Sequence, residues 1–278
     1  MTRRRPARKP MRRIEVAGGS IAYDIAGNGA PLLFISGLNG RGSFWQNQID
    51  AFSARFTMIN FDHRGVGGST GLPPYSIEQW AADAIRLLDR LDIPAAHLVG
   101  HSTGGVIAQV IASDYPDRVK SMVVGASWAS PDERFRAVFE LRKQVLTGLG
   151  GEAYARLGAL LMAPLDEAST LGLRHASPDT PPSIIEARLD ALLAYEAGAR
   201  LRRVTCPTFV LAARDDILIP ARMSRAVAEQ IAGASWMLLP GGGHAFPRTR
   251  TAEYNRIVID FLHTLEGSKT NKRSGALT

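Results

Sequence analysis

The chain is expected to fold as an α/β protein whose mostly parallel sheet carries helices on both faces, and three observations lead there. Short runs of buried-type apolar residues recur between longer helical stretches, the rhythm a covered parallel sheet requires. One run, His97-Leu98-Val99, passes through Gly100-His101-Ser102-Thr103-Gly104 into the helix-like stretch Val106 to Tyr115, so a glycine-flanked serine sits on a strand-to-helix turn. Finally, 278 residues with 45% apolar content suffice for one such domain with an inserted segment.

Residues 13–25 read as a hairpin turning at Gly18-Gly19, and strands are expected at 31–36, 57–61, 96–101, 119–127, 207–213 and 235–239. The clearest helix covers Tyr75 to Asp92. Ser76 can cap it, Ile77, Trp80, Ala84, Leu87, Leu88 and Leu91 share one face, and Pro94 stops it. From Pro131 to Arg203 the rhythm breaks: Ala/Leu/Arg-rich helical stretches follow one another, divided by Gly148-Leu149-Gly150-Gly151, Pro164 and Ser177 to Pro182. The expected organisation is a core of residues 14–130 and 204–266, a helical lid of residues 131–203 inserted after the sixth strand, and flexible tails at 1–13 and 267–278.

A lid over a strand-edge site excludes water and shapes the substrate pocket. Helical spacing assigns most of Leu141, Val145, Leu149, Leu157, Leu160, Leu161 and Met162 to its core. Arg134, Arg136 and Arg142 could hold a substrate carboxylate, although arginine on such helices is ordinarily solvated.

The net charge of +7 is concentrated at one end. Residues 1–13 contain seven basic side chains and no acid, and beyond them 26 basic residues face 26 acidic ones. The charge therefore belongs to a basic tail, and no nucleic-acid partner is expected. The early arginines are not followed by an apolar export segment of about 7 to 15 residues, which points to the cytoplasm. No apolar run approaches the roughly 18 residues of a membrane span. The single Cys206 forms no disulfide within the chain, and its place before Pro207 suits packing. No metal-ligand cluster, phosphate loop or dinucleotide fingerprint occurs, so no cofactor is implied.

A serine hydroxyl is a weak nucleophile at neutral pH and needs a histidine base oriented by a carboxylate. The expected strand 207–213 runs into Arg214-Asp215-Asp216, with Pro220 opening a helix, and the strand 235–239 ends in Pro240-Gly241-Gly242-Gly243-His244. Serine, aspartate and histidine thus follow one another at strand ends, although Asp215 and Asp216 are adjacent and only one can face His244.

These motifs resemble the α/β-hydrolase-fold family from about Ile14 to Leu265. Phe34-Ile35-Ser36-Gly37-Leu38 is similar to the family's oxyanion segment, with Ser36 in place of the usual histidine, and Asp62-His63-Arg64-Gly65-Val66-Gly67-Gly68-Ser69 matches its D-x-R-G-x-G-x-S signature. The resemblance implies Ser102 as nucleophile, His244 as base and Asp216, four residues before a proline, as the acid. Asp215 is then left as a capping or surface group. It also implies an oxyanion hole from the Leu38 and Thr103 backbone N–H groups, and a structural turn network around Asp62 and Arg64. His63, His97, His101, His175 and His263 are expected to be supporting or surface groups, and Trp128 to line the pocket or to wedge the lid against the core.

Within the family the chain looks most like enol-lactone hydrolases and the aminoacrylate hydrolase of pyrimidine breakdown. That implies a cofactor-free serine hydrolase of small carboxylic esters or lactones working through an acyl-enzyme. The alternatives are a C–N or C–C bond hydrolase, a cofactor-free haloperoxidase or perhydrolase, and, outside enzymes, a ligand-binding receptor. Serine at position 102 argues against dehalogenase or epoxide hydrolase chemistry, which uses a carboxylate nucleophile.

Overall fold

The strands expected from the apolar runs form one eight-stranded sheet: β1 (Arg12–Val16), β2 (Gly19–Ala26), β3 (Ala30–Ile35), β4 (Phe56–Phe61), β5 (Ala96–His101), β6 (Val119–Gly125), β7 (Thr208–Ala213) and β8 (Ser235–Leu239). The computed structural model describes residues 11–165 and 180–274, with side chains through 265. His175 and most of the expected amino-terminal tail lie outside the described residues. The strand order is β1-β2-β4-β3-β5-β6-β7-β8. β1 and β2 pair antiparallel, as do β2 and β4, and every later pair is parallel.

Helices cover both faces because the central strands are apolar on both. On β3, Leu33 and Ile35 face one core and Leu32 and Phe34 the other; on β6, Met122 and Val124 oppose Val123. The first core is completed by α2 (Ile77–Arg90), α3 (Thr103–Asp114) and α6 (Ala221–Gln230), the second by α1 (Ile49–Ser53), α7 (Phe246–Thr249) and α8 (Thr251–Ser274). Ser76 caps α2 as expected, its hydroxyl accepting from the Gln79 N–H at 3.1 Å.

Two boundaries differ from those expected. β1 already begins at Arg12, opposite Tyr23, because an exposed edge strand accepts arginine side chains facing solvent. The backbone of α8 continues as helix to Ser274, past the expected tail boundary at 267.

Between β6 and β7 lie α4 (Glu133–Met162) and α5 (Pro182–Ala194), which pack against each other. The α4 helix is interrupted at Gly150, whose φ of 83° and ψ of 177° suit glycine alone. Of the residues that spacing assigns to the core of the insert, Val145, Leu161 and Met162 are partly buried against the main core, whereas Leu141, Leu149 and Leu160 are more than half exposed. The buried row before Gly150 is Phe135, Phe139, Arg142 and Leu146, one position away, and the interruption resets the helical phase beyond it. An arginine stands in the buried row while three leucines stand off it, which is why hydrophobicity selects the buried face only in part.

Trp128 is fully buried with its ring 4.7 Å from that of Phe135, so it wedges the inserted helices against the core. Cys206 is half-buried just before β7, and burial raises its thiol pKa. No helix among the described residues is long and apolar enough to cross a membrane.

Candidate active site

Leu38, Ser102, Asp216 and His244 each lie in the loop or turn that follows the carboxyl end of a parallel strand, and Thr103 opens the helix after Ser102. β5 delivers Ser102 on a turn with φ of 56° and ψ of −123°, a conformation that a non-glycine residue holds only when its surroundings impose it. The Ser102 N–H donates to the Gly125 carbonyl at 2.8 Å, and its carbonyl accepts from the Gly105 N–H at 2.8 Å and the Ser127 hydroxyl at 2.9 Å. Gly104 is needed where α3 crosses β3: a Cβ there would lie 2.1 Å from the Ile35 carbonyl oxygen.

The loop after β3 packs directly on this turn. A Cβ at Gly37 would sit 3.2 Å from that of Ser102, and Leu38 lines the same cavity as the serine. Thr103 is the first residue of α3, where backbone N–H groups have no helical acceptor. The loop is braced through Asp62, whose carboxylate accepts from the Gly42 N–H at 2.8 Å and the Gly68 N–H at 2.9 Å. Arg64 forks onto the Asp83 carboxylate, and the Asp62–Arg64 segment is the turn network expected of it.

After β7, Asp216 accepts from the Leu218 N–H at 3.0 Å and the Ile219 N–H at 2.9 Å with Oδ1, leaving Oδ2 to meet His244 Nδ1 at 2.8 Å. Asp215 is not the capping or surface group expected. Its carboxylate accepts from the Gly242 and Gly243 N–H groups at 3.2 and 2.9 Å and so holds the loop carrying His244. The two neighbouring aspartates divide the work, one binding the imidazole and the other its loop.

The inserted helices close over this edge, and the Ala245 N–H donates to the Met162 carbonyl at 3.2 Å. Between insert and core lies a cavity of about 450 Å³, lined by Ser102, His244, Leu38 and His101 from the core and by Phe139, Arg142, Tyr154 and Arg188 from the insert. Burial, and then the neighbouring His244, hold the His101 imidazole well below its ordinary pKa.

Sequence reasoning missed Arg188. From α5 its Nε donates to the Leu38 carbonyl at 2.8 Å, Nη1 to the Arg64 carbonyl at 3.2 Å and Nη2 to His63 Nδ1 at 3.1 Å, while the guanidinium lies 4.3 Å from the Trp80 ring centre. Burial lowers its pKa to about 10. His63 accepts at Nδ1 and so carries its proton on Nε2; burial and then the Arg188 charge keep its pKa well down. The available signal was a charged residue within the apolar row Ile185, Leu189 and Leu192. Among the described residues no cluster of three or more His, Cys, Asp or Glu is placed to hold a metal ion.

Residues 30–247 match the family described as alpha/beta hydrolase fold. A Caulobacter vibrioides protein named "Putative carbamate hydrolase RutD" is 34% identical over 257 residues, covering 89% of this chain and 94% of its own. A Variovorax paradoxus protein of the same name is also 34% identical, over 86% and 95%. Among solved structures, the enol-lactonase from Burkholderia xenovorans LB400 superposes with a TM-score of 0.83 at 25% identity, over 91% of this chain and all of that one. Est816, an N-acyl homoserine lactone degrading enzyme, superposes with a TM-score of 0.78 at 25% identity, over 90% and 100%. The strand order, the strained serine turn and a family match spanning most of the sequence agree, and the chain belongs to the α/β hydrolases.

Proposed function

We propose that the protein is a serine hydrolase that transfers the acyl group of a small substrate from Ser102 to water. His244 Nε2 takes the Ser102 proton as the hydroxyl oxygen attacks the substrate carbonyl, and Asp216 fixes the imidazole with its proton on Nδ1 and stabilises the imidazolium. The Leu38 and Thr103 N–H groups receive the developing oxyanion; one such donor is typically worth about 10² to 10³ in rate. His244 then protonates the leaving group, and a water activated by the same imidazole releases the acyl group. The observation that carries this reading is the buried 2.8 Å contact of His244 Nδ1 with Asp216, on the wall of the cavity that also holds the strained Ser102 turn.

The same groups serve ester, lactone and C–N cleavage, because only the leaving atom changes. The identity to RutD relatives along nearly their full length favours a C–N bond of the carbamate type. The enol-lactonase and Est816 likenesses support esters and lactones as the second reading.

Turnover of p-nitrophenyl acetate, a lactone panel and alkyl carbamates, with fluorophosphonate labelling, tests both levels. Labelling and turnover that vanish together in Ser102→Ala are expected, and the substrate ranking separates C–N from ester cleavage. Absence of labelling and turnover in the wild type would sink the enzyme reading in favour of a binding protein.

A further inference from the structure

We propose that the inserted helices carry an anion subsite in the active-site cavity, with Arg142 as the residue that selects substrates bearing a carboxylate. This rests on the serine hydrolase reading and adds the chemical class of its substrate.

Three arginines considered from sequence separate cleanly. Arg134 donates to the Ile217 carbonyl and is not in the cavity, and Arg136 pairs with Glu196 near the surface. Arg142 lies in the buried row of α4, is 5% exposed and lines the cavity. Its Nη2 donates to the Tyr154 hydroxyl at 3.0 Å, and its Nε is buried with no partner among the described residues. The Phe139 and Tyr154 ring centres lie 5.1 and 4.9 Å from its guanidinium carbon. Aromatic rings against the guanidinium hold its plane and leave its N–H edge to bind a ligand.

The charge balance of the cavity points the same way. Arg41, Arg142, Arg188 and Arg248 line it, and among the described residues no aspartate or glutamate does. Arg188 has committed its donors to Leu38, Arg64 and His63, whereas Arg142 has not. Removing a cation from water without a counter-charge is unfavourable, and a neutral ligand would leave it so. A carboxylate supplies both the opposite charge and the planar pair of acceptors that a guanidinium fork matches. The cavity suits an acid of a few carbons, with its scissile carbonyl at Ser102 and its carboxylate at Arg142.

The test is calorimetric titration of the Ser102→Ala protein with monomethyl glutarate, an anion, and dimethyl glutarate, its neutral counterpart. The anion is expected to bind about 10- to 100-fold more tightly, the span of charge-assisted hydrogen bonds. Adding Arg142→Met, or Arg142→Gln, which keeps polarity without charge, is expected to erase that preference while the diester binds as before. Equal binding of the two ligands to the Ser102→Ala protein overturns the subsite without any Arg142 variant, as does a preference that survives both substitutions. Because binding is read without turnover, loss of the anion preference leaves the hydrolase reading standing, and failure of serine-dependent turnover leaves the titration informative.

Discussion

Around Ser102, Asp216 and His244 the sheet edge leaves little freedom: the serine turn is pinned by Gly125, Gly105 and Ser127, both Asp216 oxygens are engaged, and a Cβ on Gly104 has no room. On α4 of the insert, Gly148 and Gly150 have nothing within 4 Å of where a Cβ would stand, and Leu141, Leu149 and Leu160 face solvent. Where the described part of the insert meets the cavity, Phe139, Arg142, Tyr154 and Arg188 are buried or line it, and at Leu141, Gly148, Leu149 and Leu160 it is open to solvent or free space. On the proposed reading, reaction chemistry rests on the closely packed sheet edge and pocket shape on the more open insert, the division expected when loops and insertions vary over a rigid scaffold.

The largest effect belongs to the rigid side. Asp216→Asn is expected to lower kcat by about 10⁴-fold, because an amide cannot hold the required imidazole tautomer or stabilise its charge. Asp215→Asn alters the carboxylate that accepts from the Gly242 and Gly243 N–H groups and is expected to cost roughly tenfold through small displacement of His244. Steady-state kinetics of the two variants check this pair. Equal losses would mean that loop position, and not the carboxylate behind the histidine, limits the rate.

Arg188 tests whether the two regions are coupled. Arg188→Met removes the donor to the Leu38 carbonyl from the insert side while leaving the core loop sequence unchanged. If that bond orients the Leu38 N–H, kcat is expected to fall about 10- to 100-fold with KM moving much less, since an oxyanion donor acts in the transition state. A rise in KM alone, at constant kcat, would show Arg188 to be a wall of the pocket and leave the oxyanion loop self-supporting.

What the sequence made legible follows the same boundary. The strands, their covering helices, the strand-end placement of Ser102 and His244 and the D-x-R-G-x-G-x-S turn were readable because backbone demands dictate residue types there: glycine at a close crossing, apolar runs in a sheet covered on both faces. The inner face of the insert was legible only in part: Val145, Leu161 and Met162 pack as spacing indicates, but the buried row passes through Arg142, α5 buries Arg188, and Gly150 resets the helical phase. Asp215 escaped for a different reason: its carboxylate accepts from backbone N–H groups of a loop 27 residues away in sequence, and no local pattern encodes such a bond.

Acid distinguishes the regions by stability. His63 and His101 are buried in the core with pKa values held well below the ordinary value of about 6.5. Below that value the unfolded chain binds protons that the folded one refuses, so stability is fully present above about pH 6.5 and is lost as pH falls toward the depressed folded-state values. Each group contributes a slope of up to about 1.4 kcal/mol per pH unit in that window. Denaturant melts at pH 7.5, 6.0 and 5.0 should show the loss, and His101→Phe should flatten part of it. A variant as acid-sensitive as the wild type would place the proton uptake elsewhere.

The smallest effect is expected on the insert, and its sign carries the information. Gly148 lies within α4 without a positive φ, so Gly148→Ala keeps the backbone and gains about 0.5 to 1 kcal/mol of helix propensity. Phe135, Phe139 and Leu146 tie α4 to the main core cluster, so the gain should appear in the global melting temperature as a rise of roughly 1 to 4 °C. Gly150→Ala, two residues on, forces alanine into a conformation reserved for glycine and should lower it, by thermal denaturation under the same conditions. A rise at both positions would mean that α4 prefers to run straight through residue 150. The bend would then belong to closure of the insert over the cavity and not to the resting helix, and the contrast between fixed edge and adaptable insert would become a contrast between two positions of the insert itself.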